Sequence, residues 1–200
     1  MPRHKKSGAI LRRLLLYPVV ALAITLGAAG ALYAYWQAGG NFHVVEAGRY
    51  YRSAQLAPAD LDRVIRQYGI RSILNLRGPN AGTAWYDGEL ATSRADGVVH
   101  LDYAISAENP VSVTQMKEIL AILKDAPKPV LVHCQAGSDR TGLVTALYRL
   151  SRGASPAAAE QALSFWRYGH FPYLGSKTRA MDDSFQVFLA TTQPKPQPAH

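Results

Sequence analysis

One stretch of the chain constrains the fold more than any other. An apolar segment, residues 129–133, leads through a short glycine-containing loop into a second apolar segment, residues 141–150. The first segment is almost continuously apolar, as is typical of a strand at the centre of a sheet that is covered on both faces. The second has the length and composition of a buried helix. Together they predict a strand, a loop and a helix in direct succession.

Strand-like and helix-like patterns alternate along the remaining chain. The patterns favour strands at residues 44–45, 50–52, 72–76 and 98–101, and helices at residues 58–68, 83–95 and 182–190. Two more helices are indicated by their first residues, because Ser112 can cap one and Ser155 with Pro156 can open the other. Strands separated by helices predict an α/β domain with a mostly parallel central sheet flanked by helices on both faces.

The N-terminal segment has a different character. Residues 14–36 carry no charge and are nearly all apolar, and a transmembrane helix needs roughly 20 such residues. Five basic residues and no acid precede them (Arg3, Lys5, Lys6, Arg12 and Arg13). Because a basic flank stays in the cytoplasm, we expect one transmembrane helix with the folded domain on the non-cytoplasmic side. A cleaved signal peptide is the rival interpretation.

These patterns divide the chain into five parts. We expect a basic leader at 1–13, a transmembrane helix at 14–36, a linker at 37–41, a folded domain at 42–192 and a disordered tail at 193–200. The formal net charge is +8, but 17 basic residues stand against 14 acidic ones once the five of the leader are set aside from the 22. The folded domain is therefore only mildly basic, which argues against nucleic-acid binding.

The loop between the central strand and the following helix carries the chemistry. From His133 to Gly142 it reads His-Cys-Gln-Ala-Gly-Ser-Asp-Arg-Thr-Gly. Such a loop can wrap its backbone N–H groups around an anion, and the helix N-terminus adds partial positive charge. Gly137 permits a turn in which a side chain would clash, and Arg140 offers a planar fork that suits two phosphate oxygens. The predicted phosphate-binding residues are Gln135, Ala136, Gly137, Ser138, Asp139 and Arg140.

Cys134 is the only cysteine of the chain and lies at the base of this loop. The surrounding positive potential predicts an ionised thiol at neutral pH. A thiolate below a bound phosphate can attack phosphorus and form a phosphocysteine, which water then hydrolyses. We expect Thr141 to hydrogen-bond to the sulfur and His133 to fix the loop, with no metal and no cofactor. The alternative is a structural turn around a buried cysteine, which leaves the grouping of these residue types unexplained.

The loop resembles the signature of the protein tyrosine and dual-specificity phosphatase superfamily, in which His-Cys, five residues, and then Arg with Ser or Thr define the phosphate loop. Residues 51–55 and 69–77 resemble the opening of the compact bacterial and plant-fungal atypical dual-specificity phosphatases, and residues 167–173 resemble the bacterial branch. The resemblance spans nearly all of residues 50–189. It implies that fold and a metal-free hydrolysis of phosphate monoesters, with Cys134 as nucleophile and Arg140 gripping the phosphate.

The resemblance leaves the general acid open. Many relatives carry an aspartate on a separate loop before the cysteine. Asp102 has a suitable separation but ends a strand, and Glu108 lies in the loop but is not an aspartate. Some relatives, including secreted bacterial phosphatases and myotubularin-like lipid phosphatases, carry Asp-Arg-Thr and are thought to use that aspartate, which favours Asp139 here. Its alternative role is a carboxylate that only stabilises the helix dipole.

Several other side chains are candidates for secondary roles. Arg77 ends a strand at the predicted site edge, where it would bind substrate or form a structural ion pair. Arg52 is expected to be structural. Tyr168, His170 and Tyr173 would either wall the pocket or pack beneath a long loop.

The expected substrates are phosphotyrosine and simple monoesters, with phosphoserine and phosphothreonine admitted by a shallow pocket. By resemblance, phosphoinositide and inositol phosphate phosphatases often carry basic residues in the loop. Positions 135, 136, 138 and 139 have none, so this activity is the weaker alternative. A phosphate-binding module without turnover is a further alternative, disfavoured by the intact Cys134. Sulfurtransferases do not need Arg140, and arsenate reductases generally need further cysteines.

Overall fold

The computed structural model describes residues 5–192, with side chains at positions 14, 16–35 and 38–192. The chain separates into two units, one ending at Ala38 and the other beginning at Gly39. The proposed tail at 193–200 and the first four residues of the predicted leader lie outside the described residues.

The first unit is a single helix, α1 (Lys5–Ala38), which includes Pro18. Within it, the segment Leu16–Tyr35 is apolar and long enough to cross a membrane, a criterion that a signal sequence also meets. The predicted span at 14–36 therefore lies inside one continuous helix. Within the predicted linker at 37–41, α1 continues to Ala38, and Asn41 is 3% exposed in the second unit.

A five-stranded sheet forms the centre of the second unit, as the alternating pattern predicts. Its strands are β1 (His43–Glu46), β2 (Tyr50–Ser53), β3 (Ser72–Asn75), β4 (Val99–Asp102) and β5 (Val130–His133). They lie in the order β1-β2-β5-β3-β4, and only β1 is antiparallel to its neighbour. The central position of β5 confirms the expectation from its apolar sequence. Its last residue, His133, pairs with Ser53 on one side and Asn75 on the other.

Between residues 39 and 192, seven helices flank or follow the strands. They are α2 (Pro58–Tyr68), α3 (Ala84–Ala95), α4 (Val113–Asp125), α5 (Asp139–Ser151), α6 (Pro156–Glu160), α7 (Phe165–Tyr168) and α8 (Ala180–Thr192), with 3-10 turns at Gln161–Leu163 and Lys177–Arg179. The predicted bounds of α2 are confirmed, and Gly69 with φ 62° directly follows its last residue. Ser112 caps α4 as predicted, in a capping box with Gln115. The sequence patterns did not predict α7.

Both faces of the sheet are covered, and the side chains of β5 show how. Val130 and Val132 belong to one hydrophobic cluster, which includes residues of α4, α5 and α8. Leu131 points to the other cluster, which includes residues of α2. This alternation follows from the two-residue period of a strand. The sheet thereby presents the carboxyl ends of β2, β3, β4 and β5 at one common edge, where the loop after β5 lies.

Candidate active site

The loop after β5 is held from outside through its carbonyl oxygens. Gln135 O accepts from the backbone N–H of Gln55 at 3.1 Å, and Ala136 O accepts from Nδ2 of Asn41 at 2.9 Å. The oxygens of Gly137 and Ser138 accept from Nη2 of Arg52 at 2.6 and 3.4 Å. All four carbonyls of the loop thus have partners in the surrounding protein.

This anchoring determines where the amide groups point. In a planar trans peptide unit the N–H lies opposite the C=O, so the N–H groups that follow these four carbonyls face away from their anchors. These N–H groups belong to residues 136–139, and they donate no hydrogen bond to the described part of the protein. A row of unpaired N–H groups leading into the N-terminus of α5 is suited to an anion. These are the N–H groups that would contact a phosphate in the predicted phosphate-binding loop.

Arg52 holds two of these four carbonyl oxygens. Its side chain is fully buried at 0% exposure, donates through Nη1 to Ala162 O at 2.9 Å, and stacks on the ring of Tyr168 at 3.7 Å. Arg52 therefore has the structural role expected for it, because it links the loop to the segment before α7. Tyr168 packs against the guanidinium of Arg52 and is buried, which is the second of the two roles considered for it.

Asn41 is a part of the site that sequence reasoning placed in a linker. It adopts a left-handed backbone with φ 45° and donates to Tyr168 O at 2.9 Å as well as to Ala136 O. An asparagine tolerates this conformation better than most residues. The only local sequence signal for Asn41 was the Gly39-Gly40-Asn41 turn. The hydrogen-bond partners of Asn41 lie 95 and 127 residues away.

Cys134 sits where β5 enters the loop and is 2% exposed. The neighbouring His133 is fixed by Glu89, whose Oε1 lies 3.0 Å from His133 Nε2. Glu89 also contacts His100 Nε2 at 2.7 Å and accepts from Gln55 Nε2 at 2.5 Å. Burial opposes ionisation of Glu89, but these hydrogen bonds outweigh it and hold its pKa well below the usual range. The expected positioning role of His133 thus depends on a buried carboxylate that sequence reasoning missed.

Thr141 differs from the expectation. Its hydroxyl is buried and has no hydrogen-bond partner among the described residues, so the predicted bond to the sulfur of Cys134 is absent in this state.

Arg140 and Arg77 place two guanidinium groups at the same edge. Arg140 Nη1 donates to Leu76 O and Ile105 O, each at 3.4 Å. Arg77 stacks on Trp85 at 3.5 Å and donates to Gln55 Oε1 at 3.3 Å. Burial and the positive charge of Arg140 lower the pKa of Arg77. Neither guanidinium pairs with a carboxylate of the described chain, so this edge is ready to receive an anion.

The three candidate acids have different surroundings. Asp139 is the first residue of α5, and its Oδ1 lies 2.6 Å from His170 Nδ1. Asp102 uses both oxygens inside the fold, since Oδ1 accepts from Asn75 at 2.8 Å and Oδ2 accepts from Tyr86 at 2.5 Å. Glu108 is exposed and pairs with Lys177 at 3.1 Å. Only Asp139 belongs to the loop itself.

His170 and Tyr173 differ in burial and in hydrogen bonding. Tyr173 is 61% exposed, whereas His170 is 0% exposed and bridges Asp139 and Asp182. Within residues 5–192 no three His, Cys, Asp or Glu side chains are grouped in a way that would hold a metal ion.

Comparison with known proteins agrees with this geometry. The profile of a family described as the tyrosine phosphatase family matches residues 34–161. No curated protein sequence matches the chain. Among solved structures, Tk-PTP in its active form is 25% identical, with a TM-score of 0.54 over 72% of this chain and 96% of that one. TpbA of P. aeruginosa is 20% identical, with a TM-score of 0.56 over 78% and 92%. The core catalytic domain of the PP-IP phosphatase SIW14 of S. cerevisiae is 20% identical, with a TM-score of 0.57 over 76% and 91%.

Proposed function

Since this chain belongs to the tyrosine phosphatase family, we propose that it hydrolyses phosphate monoesters through a phosphocysteine on Cys134. The supporting observation is the loop at residues 135–138, whose four carbonyl oxygens are all bound from outside. Its amides are thereby aligned to hold the phosphate oxygens, and Arg140 supplies a positive charge beside them.

In the first half-reaction the thiolate of Cys134 attacks phosphorus, and the bond from phosphorus to the ester oxygen breaks. The amides and Arg140 stabilise the charge on the non-bridging oxygens. The leaving oxygen takes a proton from Asp139, so that an alcohol or phenol departs and Asp139 becomes a carboxylate.

In the second half-reaction a water molecule attacks the phosphocysteine. Asp139 takes one proton from this water, the bond between phosphorus and sulfur breaks, and inorganic phosphate leaves. Both the thiolate of Cys134 and the acid form of Asp139 are restored, which closes the cycle without a metal or a cofactor.

The surroundings of the three acids support Asp139 for this role. Both oxygens of Asp102 accept hydrogen bonds from buried neighbours, and Glu108 lies in solvent beside Lys177. Asp139 retains one oxygen that accepts no hydrogen bond among the described residues and stands next to Arg140 in the sequence.

The substrate we propose first is a phosphotyrosine residue or a similar aryl phosphate. A variant of TpbA has been crystallised in complex with phosphotyrosine, which supports a monoester of this kind. Phosphoserine and phosphothreonine remain part of the proposal, because Asp139 would assist the departure of an alkoxide as well as a phenoxide.

Arg77 favours a second candidate, a substrate with another anionic group beside the scissile phosphate. Two unpaired guanidinium groups at one edge repel each other unless an anion lies between them. SIW14, a protein of similar fold, is a PP-IP phosphatase.

We expect Arg77→Gln to raise KM about tenfold for an aryl bisphosphate and less for a monophosphate. Arg71→Gln is the control, because Arg71 is exposed at the opposite edge of the sheet. Equal changes in KM for the two substrates in Arg77→Gln would exclude this candidate.

Trapping the covalent intermediate tests the proposed function. Rapid acid quench during turnover of an aryl phosphate, followed by peptide mass spectrometry, should locate one phosphoryl group on Cys134. Cys134→Ser should show neither the adduct nor turnover. Asp139→Asn should lose roughly 10²–10⁴-fold in rate with a poor leaving group. Undiminished turnover by Cys134→Ser would refute the mechanism.

We further propose that the apolar segment Leu16–Tyr35 anchors the protein in a membrane, with the phosphatase domain on the non-cytoplasmic side. The basic residues before this segment support that orientation. A reporter enzyme that is active only outside the cytoplasm, fused after His200, should be active. If the fusion protein is present in normal amounts but inactive, the proposed orientation is wrong and the phosphatase domain faces the cytoplasm.

A further inference from the structure

Asp139, His170 and Asp182 form a row of three hydrogen-bonded side chains beside the phosphate loop. Nδ1 of His170 lies 2.6 Å from Asp139 Oδ1, and Nε2 lies 2.8 Å from Asp182 Oδ2. The histidine side chain is 0% exposed, whereas those of Asp139 and Asp182 are 21% and 27% exposed. The row connects the first residue of α5 to α8 through a buried imidazole.

Both ring nitrogens of His170 face a carboxylate, so the imidazole can donate a hydrogen bond at each end only when it carries two protons. Burial by itself would lower the pKa of His170, but the hydrogen bonds and negative charges of Asp139 and Asp182 outweigh burial and raise it to about 9. At neutral pH the imidazole of His170 is therefore doubly protonated and donates a hydrogen bond at each end of the row.

The segment that carries His170 is fastened to the loop it serves. Ser138 Oγ donates to Tyr168 O at 2.6 Å, and Asn41 donates to the same oxygen at 2.9 Å. Gly169 turns the chain at φ 77° immediately before His170. The imidazole is thus held in a fixed position relative to Ser138 and Asp139.

We propose that His170, held by Asp182, is a positioning residue that orients the carboxyl group of Asp139 for proton transfer. This inference rests on the proposed function, since it concerns the acid of that reaction. Binding of Oδ1 by the imidazolium leaves Oδ2 to exchange protons with the leaving group and then with water. His170 keeps both protons throughout, and its charge stabilises the carboxylate that Asp139 becomes.

The position of this charge predicts a particular pH dependence. His170 keeps its second proton up to about pH 9, so turnover of a poor leaving group should decline through this pH in wild type and lack this decline without His170. The charged groups that act on His170 are Asp139 at the start of α5 and Asp182 on α8. Arg179, just before α8, pairs with the exposed Asp183 on that helix.

The test compares His170→Gln with wild type on two aryl phosphates, one with a good and one with a poor leaving group. Glutamine retains a donor for Asp139 but carries no charge. We expect about a tenfold loss of kcat with the poor leaving group and little loss with the good one. The decline of turnover near pH 9 should be absent from the pH profile of this variant. Asp182→Asn should cause smaller changes in the same directions.

Asp183→Asn is the matched control, because the same substitution is made one position further along α8 at an exposed side chain. It should leave both the leaving-group dependence and the pH profile as in wild type. If His170→Gln does not fold, Asp182→Asn decides the matter. Folded variants that keep the wild-type pH profile and leaving-group dependence would overturn the inference, while Cys134-dependent turnover would still stand.

A second readout does not require activity. The NMR signals of a doubly protonated His170 ring should persist to about pH 9 in the full-length protein and be lost at lower pH in Asp182→Asn. A His170 ring that titrates alike in both proteins would also overturn the inference, whether or not the wild type is a phosphatase.

Discussion

At the scale of single residues, Arg52 shows how a buried charge can be accommodated without an acid. Its guanidinium is compensated by the carbonyl oxygens of Gly137, Ser138 and Ala162 and by the face of Tyr168. Burial lowers the pKa of Arg52 to about 10, which still leaves it protonated at neutral pH. The same contacts that stabilise this cation keep the loop carbonyls outside the candidate site.

Gly137 is the residue at which the loop tolerates least change. Its φ is 72°, and a Cβ added there would lie 2.6–2.7 Å from backbone atoms of Ser53 and Ala54. Backbone atoms of a buried strand end cannot move aside easily, so we expect Gly137→Ala to lower the free energy of unfolding by roughly 2–3 kcal/mol. Urea unfolding measures this loss.

The comparison for Gly137→Ala is Gly153→Ala, where φ is 86° but nothing lies within 4 Å of the added Cβ. That variant carries only the backbone strain and should lose about 1 kcal/mol. Equal losses in the two variants would mean that the contact with Ser53 and Ala54 is unimportant.

His170 should make stability depend on pH. Its pKa is raised from 6.5 to about 9 in the folded protein, so its stabilisation is fully present below pH 6.5 and is lost as the pH rises through about 9. The difference amounts to a contribution on the order of 3 kcal/mol. Unfolding by urea at several pH values should show this decline in wild type and a flatter curve in His170→Gln. Parallel curves would contradict the assignment of an imidazolium.

At the scale of elements, the capping box of α4 is a separable contribution to stability. Ser112 Oγ accepts from the N–H of Gln115 at 3.2 Å, and Gln115 Oε1 accepts from the N–H of Ser112 at 3.1 Å. We expect Ser112→Ala to cost about 1 kcal/mol, measured by thermal or urea unfolding, with activity unchanged. Thr114→Ala, exposed on the same helix, should cost nothing, and a similar loss there would rule out the cap as the cause.

The elements were largely predictable because their signals are local. The apolar residues of α2 recur with helical spacing, and β5 is apolar up to its last residue, His133, because both its faces are buried. The four residues of α7 are too few to establish a period. Glu89 and Asn41 escaped prediction for another reason, since their partners His133 and Tyr168 are distant in the sequence. The loop motif predicts Cys134 and Arg140 as site residues, but it gives no signal for the side chains that hold the loop in place.

At the scale of the whole molecule, the second unit should fold without the first. Both hydrophobic clusters are built from residues at position 42 and beyond. We expect a chain that begins at Gly39 to unfold cooperatively and to keep the kcat/KM of the full-length protein on a soluble aryl phosphate. The full-length protein should need detergent for extraction from cells, whereas the shortened one should not. Loss of cooperative unfolding on removal of α1 would contradict this division.

The outward anchoring of the phosphate loop has a consequence for affinity. Because every loop carbonyl is already bound in the free protein, the conformational entropy of the loop is lost during folding and not on association. Tetrahedral oxyanions such as tungstate or vanadate should then bind with a small entropic penalty, and so should the inorganic phosphate released by turnover. An enzyme built in this way is open to inhibition by its own product.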